Sequence, residues 1–398
     1  MPDPTFDTLL SRQLRQYAEA GVRPIDRFAI AEETIGSGRT VARWRRGLGL
    51  VPKRGNRVLV PLLVGLLLAA LAGGALLVGG RLLAPTTSRH AYLNELVSAP
   101  DLPRPMGAPT VVTLLDGRVL VMTNSGLPNT ALLYDPSTGL SVPAGPMVSP
   151  DRVLGSAVGL RDGRILVTGD GVSEIFDPAT LQFASVGPMV TARSFPGLAL
   201  LSDGRVLVAG GVQPGEETRF LSAEMFDPDT LSFSPTGAMS FGGGPMGTLP
   251  DGRVFVASSP NAEVYDPRSG TFAFAGVIPY GVTDATALPD GRVAIVGVTG
   301  LQSGGYIGIW DPTGHLYRQV YAGSHPLFDE ALLDDGRILV TGGRGAPWAG
   351  VFDPATERVT AITPPAYDRP ALARLLDGRV LLIGGLDDGV GPTVQVFQ

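Results

Sequence analysis

The sequence of 398 residues contains no cysteine and only three histidines. Without cysteine, the chain cannot form disulfide bonds, use a thiol in catalysis or build a cysteine-based zinc site. The histidines His90, His315 and His325 include no pair at a close ligand spacing, which argues against a histidine metal site. The sequence therefore predicts neither a metal nor another cofactor.

Positive charge is also scarce in the part of the chain that follows Arg57. The chain has 31 basic and 37 acidic residues, of which residues 1–57 hold 11 and 6, so residues 58–398 hold 20 and 31. The resulting net charge of −11 on residues 58–398 disfavours binding to nucleic acids and to anionic membranes. We therefore expect no nucleic-acid partner.

What the chain has in abundance is a repeated segment. Asp-Gly-Arg occurs seven times, and each copy is followed by Val or Ile. The copies begin at Asp116, Asp162, Asp203, Asp251, Asp290, Asp335 and Asp377. This spacing falls in the range of periods, about 20–50 residues, that is typical of repeat proteins. The units of such proteins bury their apolar faces by stacking on their neighbours.

Each repeat contains two turns and room for four strands. The Asp-Gly step between β-favouring runs predicts a two-residue hairpin with positive φ angles. In the first six units an aromatic residue followed by Asp-Pro predicts a second turn, because Asp caps the turn and Pro ends the strand. Four antiparallel strands make a propeller blade, so the sequence predicts an all-β, seven-bladed β-propeller over residues 93–398. The aromatic residues, which we expect to pack between blades, are Tyr134, Phe176, Phe226, Tyr265, Trp310 and Phe352.

The order of these features resembles the kelch repeat. Asp-Gly-Arg, an apolar strand, Gly-Gly (Gly210-Gly211), aromatic-Asp-Pro and Gly-Pro-Met (Gly145 to Met147) follow one another. Trp310-Asp311 resembles the signature of the WD40 repeat, the alternative, but Pro312 follows it. Kelch-type copper oxidases use a tyrosine linked to cysteine, so the lack of cysteine excludes that activity here.

The seventh repeat lacks its fourth strand. It reaches its aromatic residue at Phe397, after which no fourth strand follows. We predict that residues around Leu96 to Ser98 pair with Val394 to Phe397, which closes the ring and removes the open sheet edges.

A long apolar run precedes the repeats. Residues 58–80 contain no charged side chain, and a helix needs only about 20 such residues to cross a bilayer. Seven basic residues and no acidic one lie within residues 39–57, whereas only Arg81 and Arg89 follow closely. The positive-inside rule therefore predicts a cytoplasmic N-terminus (residues 1–57), a transmembrane helix (58–80), a linker (81–92) and a propeller outside the cytoplasm.

Two features of this N-terminal part suggest contacts. Apolar residues at helical spacing between Phe6 and Tyr17 predict a short helical cytoplasmic segment that a soluble regulator could dock on. Gly65, Ala69 and Gly73 form a small-residue ladder in the predicted transmembrane helix, and we expect a homodimer contact there.

Variation in repeat length identifies the face of the propeller that binds. It concentrates between the second and third strands, on the same face as the blade-to-blade connections. We call this face the loop face, and the face with the Asp-Gly-Arg and Asp-Pro turns the turn face. Recognition residues usually lie on loops carried by a rigid scaffold. The candidate binding residues are Arg219, Phe220, Arg344 and Trp348 in long loops, and Arg152, Arg193, Tyr280, Asp284, His325, Asp329, Tyr367 and Arg369 near the connections.

These features predict a single-pass membrane protein that displays an extracytoplasmic kelch-like propeller as a protein- or glycan-binding module. One alternative is a carbohydrate-active propeller enzyme, an epimerase or hydrolase with an acidic pair such as Asp284 and Asp329. Carboxylates with raised pKa values at the channel would favour the enzyme. Another alternative is a transmembrane sensor coupled to a cytoplasmic regulator.

Overall fold

The structure is a computed structural model whose described part consists of strands and turns. No helix in this part is long and apolar enough to cross a bilayer. The predicted cytoplasmic segment (1–57) and transmembrane helix (58–80) lie outside the described residues. The described residues are 91–103, 109–123, 130–149, 155–216, 218–299, 304–314, 316–384 and 393–398.

The strands form seven four-stranded antiparallel sheets, which confirms the predicted seven-bladed propeller. Blades 1 to 3 consist of β2 (Thr110–Thr113), β3 (Val119–Met122), β4 (Ala131–Asp135), β5 (Leu140–Pro143), β6 (Ser156–Gly159), β7 (Ile165–Gly169), β8 (Val172–Asp177), β9 (Gln182–Ser185), β10 (Gly197–Leu200), β11 (Val206–Ala209), β12 (Ala223–Asp227) and β13 (Ser232–Pro235). Blades 4 to 6 consist of β14 (Met246–Thr248), β15 (Val254–Ser258), β16 (Asn261–Asp266), β17 (Thr271–Val277), β18 (Gly281–Ala287), β19 (Val293–Thr299), β20 (Gly304–Asp311), β21 (Leu316–Gly323), β22 (Leu327–Leu332), β23 (Ile338–Gly342), β24 (Trp348–Asp353) and β25 (Arg358–Ala361). Blade 7 consists of β26 (Ala371–Arg374), β27 (Val380–Ile383), β28 (Val394–Phe397) and β1 (Leu96–Ala99).

The first strand of every blade contacts the first strand of the next, and these contacts run around a closed ring. The ring strands β2, β6, β10, β14, β18, β22 and β26 therefore line the central channel. The second strands are buried along their length, whereas the fourth strands are largely exposed. Because the ring strands are the innermost strands of their blades, their residues face the channel.

Blade 7 closes the ring with a strand from the start of the propeller. β1 pairs antiparallel with β28, and the register runs from Leu96 opposite Phe397 to Ala99 opposite Val394. Backbone hydrogen bonds between Glu95 and Gln398, at 3.2 and 3.0 Å, extend the pairing. The predicted closure is confirmed and is one residue longer than expected.

The aromatic residue of each aromatic-Asp-Pro triplet is buried between blades, as predicted. Phe226 is fully buried, packs on Phe233 with ring centroids 4.9 Å apart, and joins a core cluster with Leu166 and Ile175 of blade 2. Trp310 is buried in the same way and donates its indole N–H to the carbonyl of Ala275 at 2.6 Å. These side chains join neighbouring blades.

The Asp-Gly-Arg hairpin differs from the two-residue turn that we predicted. In blade 1, Leu114 N donates to Arg118 O at 2.8 Å and Gly117 N donates to Leu114 O at 3.0 Å. Of the three loop residues only Gly117 has a positive φ, +90°, so the turn is a type I turn followed by a glycine bulge. Asp116 has a negative φ, and its carboxylate accepts the backbone N–H of Arg118 at 3.0 Å.

The arginine of this hairpin reaches the next blade. Arg118 pairs with Asp116 and donates to the carbonyl of Pro178 in blade 2 at 3.3 Å, and Arg164 donates to Pro228 of blade 3 at 3.0 Å. Exposed ion pairs contribute little to stability by themselves, but here the carboxylate holds the guanidinium on a neighbour's turn. This geometry supports a structural role for the repeated arginines.

Candidate functional site

Two neighbouring blades place an acid on the strand that lines the channel. The residue six positions before each Asp-Gly-Arg Asp is Asp284 in blade 5 and Asp329 in blade 6. Each follows a β-bulge, between Val282 and Asp284 in β18 and between Leu327 and Asp329 in β22. Bulges redirect side chains, and here they lie at matching positions. The other blades have Thr110, Ser156, Gly197, Pro245 and Ala371 at this position.

The two carboxyl groups bind backbone N–H groups of the ring strands. Asp284 accepts from Ala285 N at 2.8 Å, and Asp329 accepts from Glu330 N at 2.9 Å and from Leu372 N of blade 7 at 3.0 Å. A ring strand is the inner edge of its sheet, so its outward N–H groups have no ladder partner. The carboxyls therefore also serve the fold by satisfying these edge donors.

Glu330 adds a third carboxyl group that the sequence analysis missed. It is 7% exposed, and neither of its carboxyl oxygens makes a hydrogen bond with a described group. Thr286 of blade 5 is the polar neighbour that favours its ionised form. The sequence offered one indication, because the residues five positions before the other Asp-Gly-Arg motifs are apolar. They are Val111, Ala157, Leu198, Met246, Ala285 and Leu372.

Burial is the main cause of raised pKa values in this carboxyl cluster. Desolvation raises the pKa of Asp284, and desolvation followed by the charge of Asp284 raises the pKa values of Asp329 and Glu330 well above their ordinary range. The hydrogen bond between the two aspartates raises the pKa of Asp329 and lowers that of Asp284. Both pKa values are raised, so the pair titrates as one coupled unit that keeps its first proton to a higher pH than an ordinary aspartate does.

The raised pKa values predict a stability that falls with pH. Between the ordinary pKa values of 3.8 and 4.5 and the higher values in the fold, the native state binds more protons than the unfolded state. The contribution of Asp329 and Glu330 is thus present below about pH 4 and is lost as pH rises through their native pKa values. The variant Asp329→Asn/Glu330→Gln should gain in melting temperature relative to the unmodified protein as pH rises from 5 to 8, measured by differential scanning fluorimetry.

The turn residue Asp135 provides a control of opposite sign. Its hydrogen bonds with Ser137 lower its pKa, so its contribution to stability is present above the ordinary pKa and is lost on acidification. The melting temperature of Asp135→Asn should therefore approach that of the unmodified protein as pH falls towards 3. Parallel melting profiles of the double variant and the unmodified protein across pH 5 to 8 would contradict the raised pKa values.

Aromatic and basic residues lie on the loop face of blades 6 and 7. Trp348, half-buried at the start of β24, stacks with Tyr321 at 6.1 Å and with His325 at 6.3 Å between ring centroids. The guanidinium of Arg369 lies 3.8 Å from the ring centroid of Phe328. The positive charge of the exposed Arg344 is close enough to lower the pKa of Arg369. We call His325, Phe328, Arg344, Trp348 and Arg369 the blade 6 cluster.

The connection into blade 7 holds Arg369 in place. Asp368, 8% exposed, accepts the backbone N–H of Gly345 and so ties the connection to the loop between β23 and β24. Arg369 has φ +51°, and so has Phe195, which precedes Pro196 at the equivalent position in the connection into blade 3. This left-handed backbone conformation is therefore a feature of the blade connection.

Two predicted binding residues lie inside the fold instead of on its surface. Arg193 is fully buried, pairs with Glu224 at 2.6 Å, and donates to the carbonyls of Gly210 at 2.9 Å and Ser222 at 2.8 Å. Tyr367 is 2% exposed and donates its hydroxyl to Leu382 O at 2.9 Å. We predicted that both side chains lie on the surface, and this position is wrong. Their polar groups instead make hydrogen bonds inside the fold.

The remaining candidates lie apart from the blade 6 cluster. Arg219 is exposed and Phe220 half-buried in the loop between β11 and β12 of blade 3, where the Phe220 ring lies 5.5 Å from the guanidinium of Arg193. Tyr280 packs on Tyr306 with ring centroids 5.3 Å apart. Arg152 lies outside the described residues.

Buried glutamates fasten the blade-to-blade connections and were also missed. Glu224 accepts the backbone N–H groups of Val190 at 2.7 Å and Thr191 at 2.9 Å, just before blade 3 begins. Glu174 and Glu263 bind the connections into blades 2 and 4 in the same manner. All three lie two residues before the aromatic residue of an aromatic-Asp-Pro triplet, a periodicity that was available in the sequence.

Within the described ranges, no group of three or more acidic or histidine side chains has the arrangement of a metal site. Several clefts lie on the turn face, between hairpins of adjacent blades. The cleft between blades 2 and 3 has a volume of about 350 Å³ and is lined by turn residues such as Arg161, Asp203 and Arg205. Because Asp203 and Arg205 pair with each other, we regard these clefts as products of the repeat rather than as sites.

Comparison with known proteins places the chain by fold alone. No family model and no curated sequence matches it. Among solved structures it is similar to a fungal alcohol oxidase in complex with copper, with 19% identity and a TM-score of 0.59 over 76% of this chain and 75% of that one. It is also similar to a streptogramin B lyase, with 13% identity and a TM-score of 0.59 over 78% and 99%. These likenesses agree with the seven-bladed β-propeller found here.

Proposed function

We propose that this protein is a single-pass membrane protein that displays a kelch-type propeller outside the cytoplasm and binds a protein or glycan ligand through the blade 6 cluster. The order of Asp-Gly-Arg, Gly-Gly and aromatic-Asp-Pro supports the kelch type. The uncharged run of residues 58–80 and its basic flank support the anchor and its orientation.

The blade 6 cluster is the observation that carries the binding function. His325 precedes β22, Arg344 and Trp348 come from the loop between β23 and β24, and Arg369 comes from the connection into blade 7. Three separate segments thus bring Trp, His and two Arg side chains to one part of the loop face. Trp and Arg are the residues most enriched at binding hot spots, and loops on a rigid scaffold are their usual place.

Crosslinking followed by mass spectrometry on native membranes tests this proposal. Trp348→Ala and Arg344→Ala should each reduce ligand capture by at least about tenfold, because hot-spot truncations cost about 2 kcal/mol or more. Arg318→Ala is the matched control, since Arg318 is 61% exposed near the turn-face end of the outer strand of blade 5 and pairs with Glu357. Equal capture by all three variants, with unchanged melting temperatures, would rule out the cluster as the binding site.

The carboxyl cluster in the channel favours a second candidate, a carbohydrate-active enzyme. Asp284 and Asp329 form a coupled pair with raised pKa values, and a carboxyl pair that shares one proton can supply a general acid and a general base. An enzyme of this kind would convert the glycan captured in the experiment above, and Asp329→Asn would bind it without conversion. A binding module would release every captured ligand unchanged.

A further inference from the structure

Arg369 holds its guanidinium over an aromatic ring, with the central carbon 3.8 Å from the centroid of the Phe328 ring. The guanidinium is planar and carries paired N–H donors that match the two oxygens of a carboxylate. Arg369 is half-buried, and this burial, and after it the charge of Arg344, lowers the pKa of Arg369.

No described side chain forms an ion pair with Arg369. The charge of Asp368 acts on Arg369 and offsets part of the positive charge, but its carboxylate accepts a hydrogen bond from the backbone N–H of Gly345 and is 8% exposed. Arg344 adds a second positive charge nearby. The site is thus a local concentration of positive charge on a part of the chain, residues 58–398, whose net charge is −11. A bound anion would relieve the repulsion between the two arginines.

Arg369 lies close to two of the strands that line the channel. Phe328, on which Arg369 stacks, directly precedes Asp329, and β26 of the channel ring begins two residues after Arg369 at Ala371. A ligand held by Arg369 would therefore extend towards carboxyl groups, which donate and accept hydrogen bonds with hydroxyls. A sugar ring that carries an acid group has both features.

We propose that Arg369, assisted by Arg344, binds the carboxylate of an acidic sugar residue such as a uronic acid. The proposal rests on the proposed function and specifies the ligand class of the same cluster. A strongly acidic peptide suits the site less, because its many charges would be repelled by the acidic propeller. A sugar with one carboxylate places its charge at the arginines alone.

Isothermal titration calorimetry on the full-length protein in nanodiscs tests the proposal. The probes are an oligosaccharide of glucuronic acid, the same oligosaccharide with its carboxyls reduced to alcohols, and a glutamate-rich peptide. The acidic oligosaccharide should bind at least about tenfold more tightly than its reduced form, because a partly desolvated arginine–carboxylate contact is strong. Arg369→Lys should remove most of this difference, since lysine lacks the planar fork, and Arg318→Ala should retain it.

Several outcomes would overturn the proposal. They are equal affinity for the acidic and reduced oligosaccharides, no binding of either, an unchanged preference in Arg369→Lys, and binding of the peptide but not the oligosaccharide. The melting temperature of Arg369→Lys shows whether the variant is folded. If capture of a native ligand still depends on Trp348 while the carboxylate preference is absent, the ligand class is wrong and the proposed function stands. If neither depends on the cluster, both fail.

Discussion

Deletion of residues 91–100 is expected to remove the cooperative melting transition of the propeller and to leave an aggregating protein. β1 supplies the fourth strand of blade 7, so the deletion breaks four residue pairs with β28 and exposes that strand as an edge. It also removes Tyr92, whose ring stacks on Phe397 at 5.6 Å and whose hydroxyl donates to Gly378 O at 2.5 Å. Together these losses should cost about 5 kcal/mol or more, a large part of the stability of a typical domain.

Calorimetry and size-exclusion chromatography measure this effect directly. Val97→Ala is a suitable control, because Val97 is 41% exposed on the outer side of β1 and its truncation leaves the backbone pairing intact. We expect this variant to melt within a few degrees of the unmodified protein and to remain monodisperse. A deletion variant with an unchanged melting temperature would show that ring closure does not depend on β1.

Glu224→Ala is expected to destabilise the propeller by about 3–5 kcal/mol, because it leaves the buried charge of Arg193 without a partner. Arg193 and Glu224 are 0% and 2% exposed and lie 2.6 Å apart. The same carboxylate accepts the N–H groups of Val190 and Thr191, so the connection into blade 3 is loosened as well. Urea denaturation measures the loss.

A double-mutant cycle separates the ion pair from the packing around it. Arg193→Met/Glu224→Leu replaces both charges by apolar side chains and should lose less stability than either Arg193→Met or Glu224→Leu alone. Arg318→Ala, which removes the exposed partner of Glu357, should change stability by less than about 1 kcal/mol. Additive losses across the cycle would mean that the pair contributes no coupling energy.

The architecture could be predicted because the sequence contains seven copies of the same repeat. Asp-Gly-Arg and aromatic-Asp-Pro fix two turns per blade through local chemistry, and the unit that lacks a strand predicts where the closing strand comes from. The hairpin type was wrong because a positive φ at the glycine alone already allows a tight turn. Repetition thus determined the strands better than the exact geometry of their turns.

The candidate site was predicted less well, because burial depends on the path of the loops. Ser194 and Arg219 both bridge to Val212, and the loop between β11 and β12 folds back so that Arg193 is enclosed. No local pattern distinguishes this arginine from the half-buried Arg369. Glu330 was missed for a similar reason, since its burial is a property of two packed blades.

The pairing of β1 with β28 also sets the order of events during synthesis. The two strands, which pair Leu96 with Phe397, come from opposite ends of the propeller sequence, so the first strand of the propeller to be made waits for the last. Contacts of such long range are slow to form, and until they form blade 7 presents unpaired strand edges. The newly made chain therefore passes through a stage in which six blades are complete and blade 7 still has unpaired strand edges that can aggregate. Protection by chaperones is most important at this stage, until β28 has emerged.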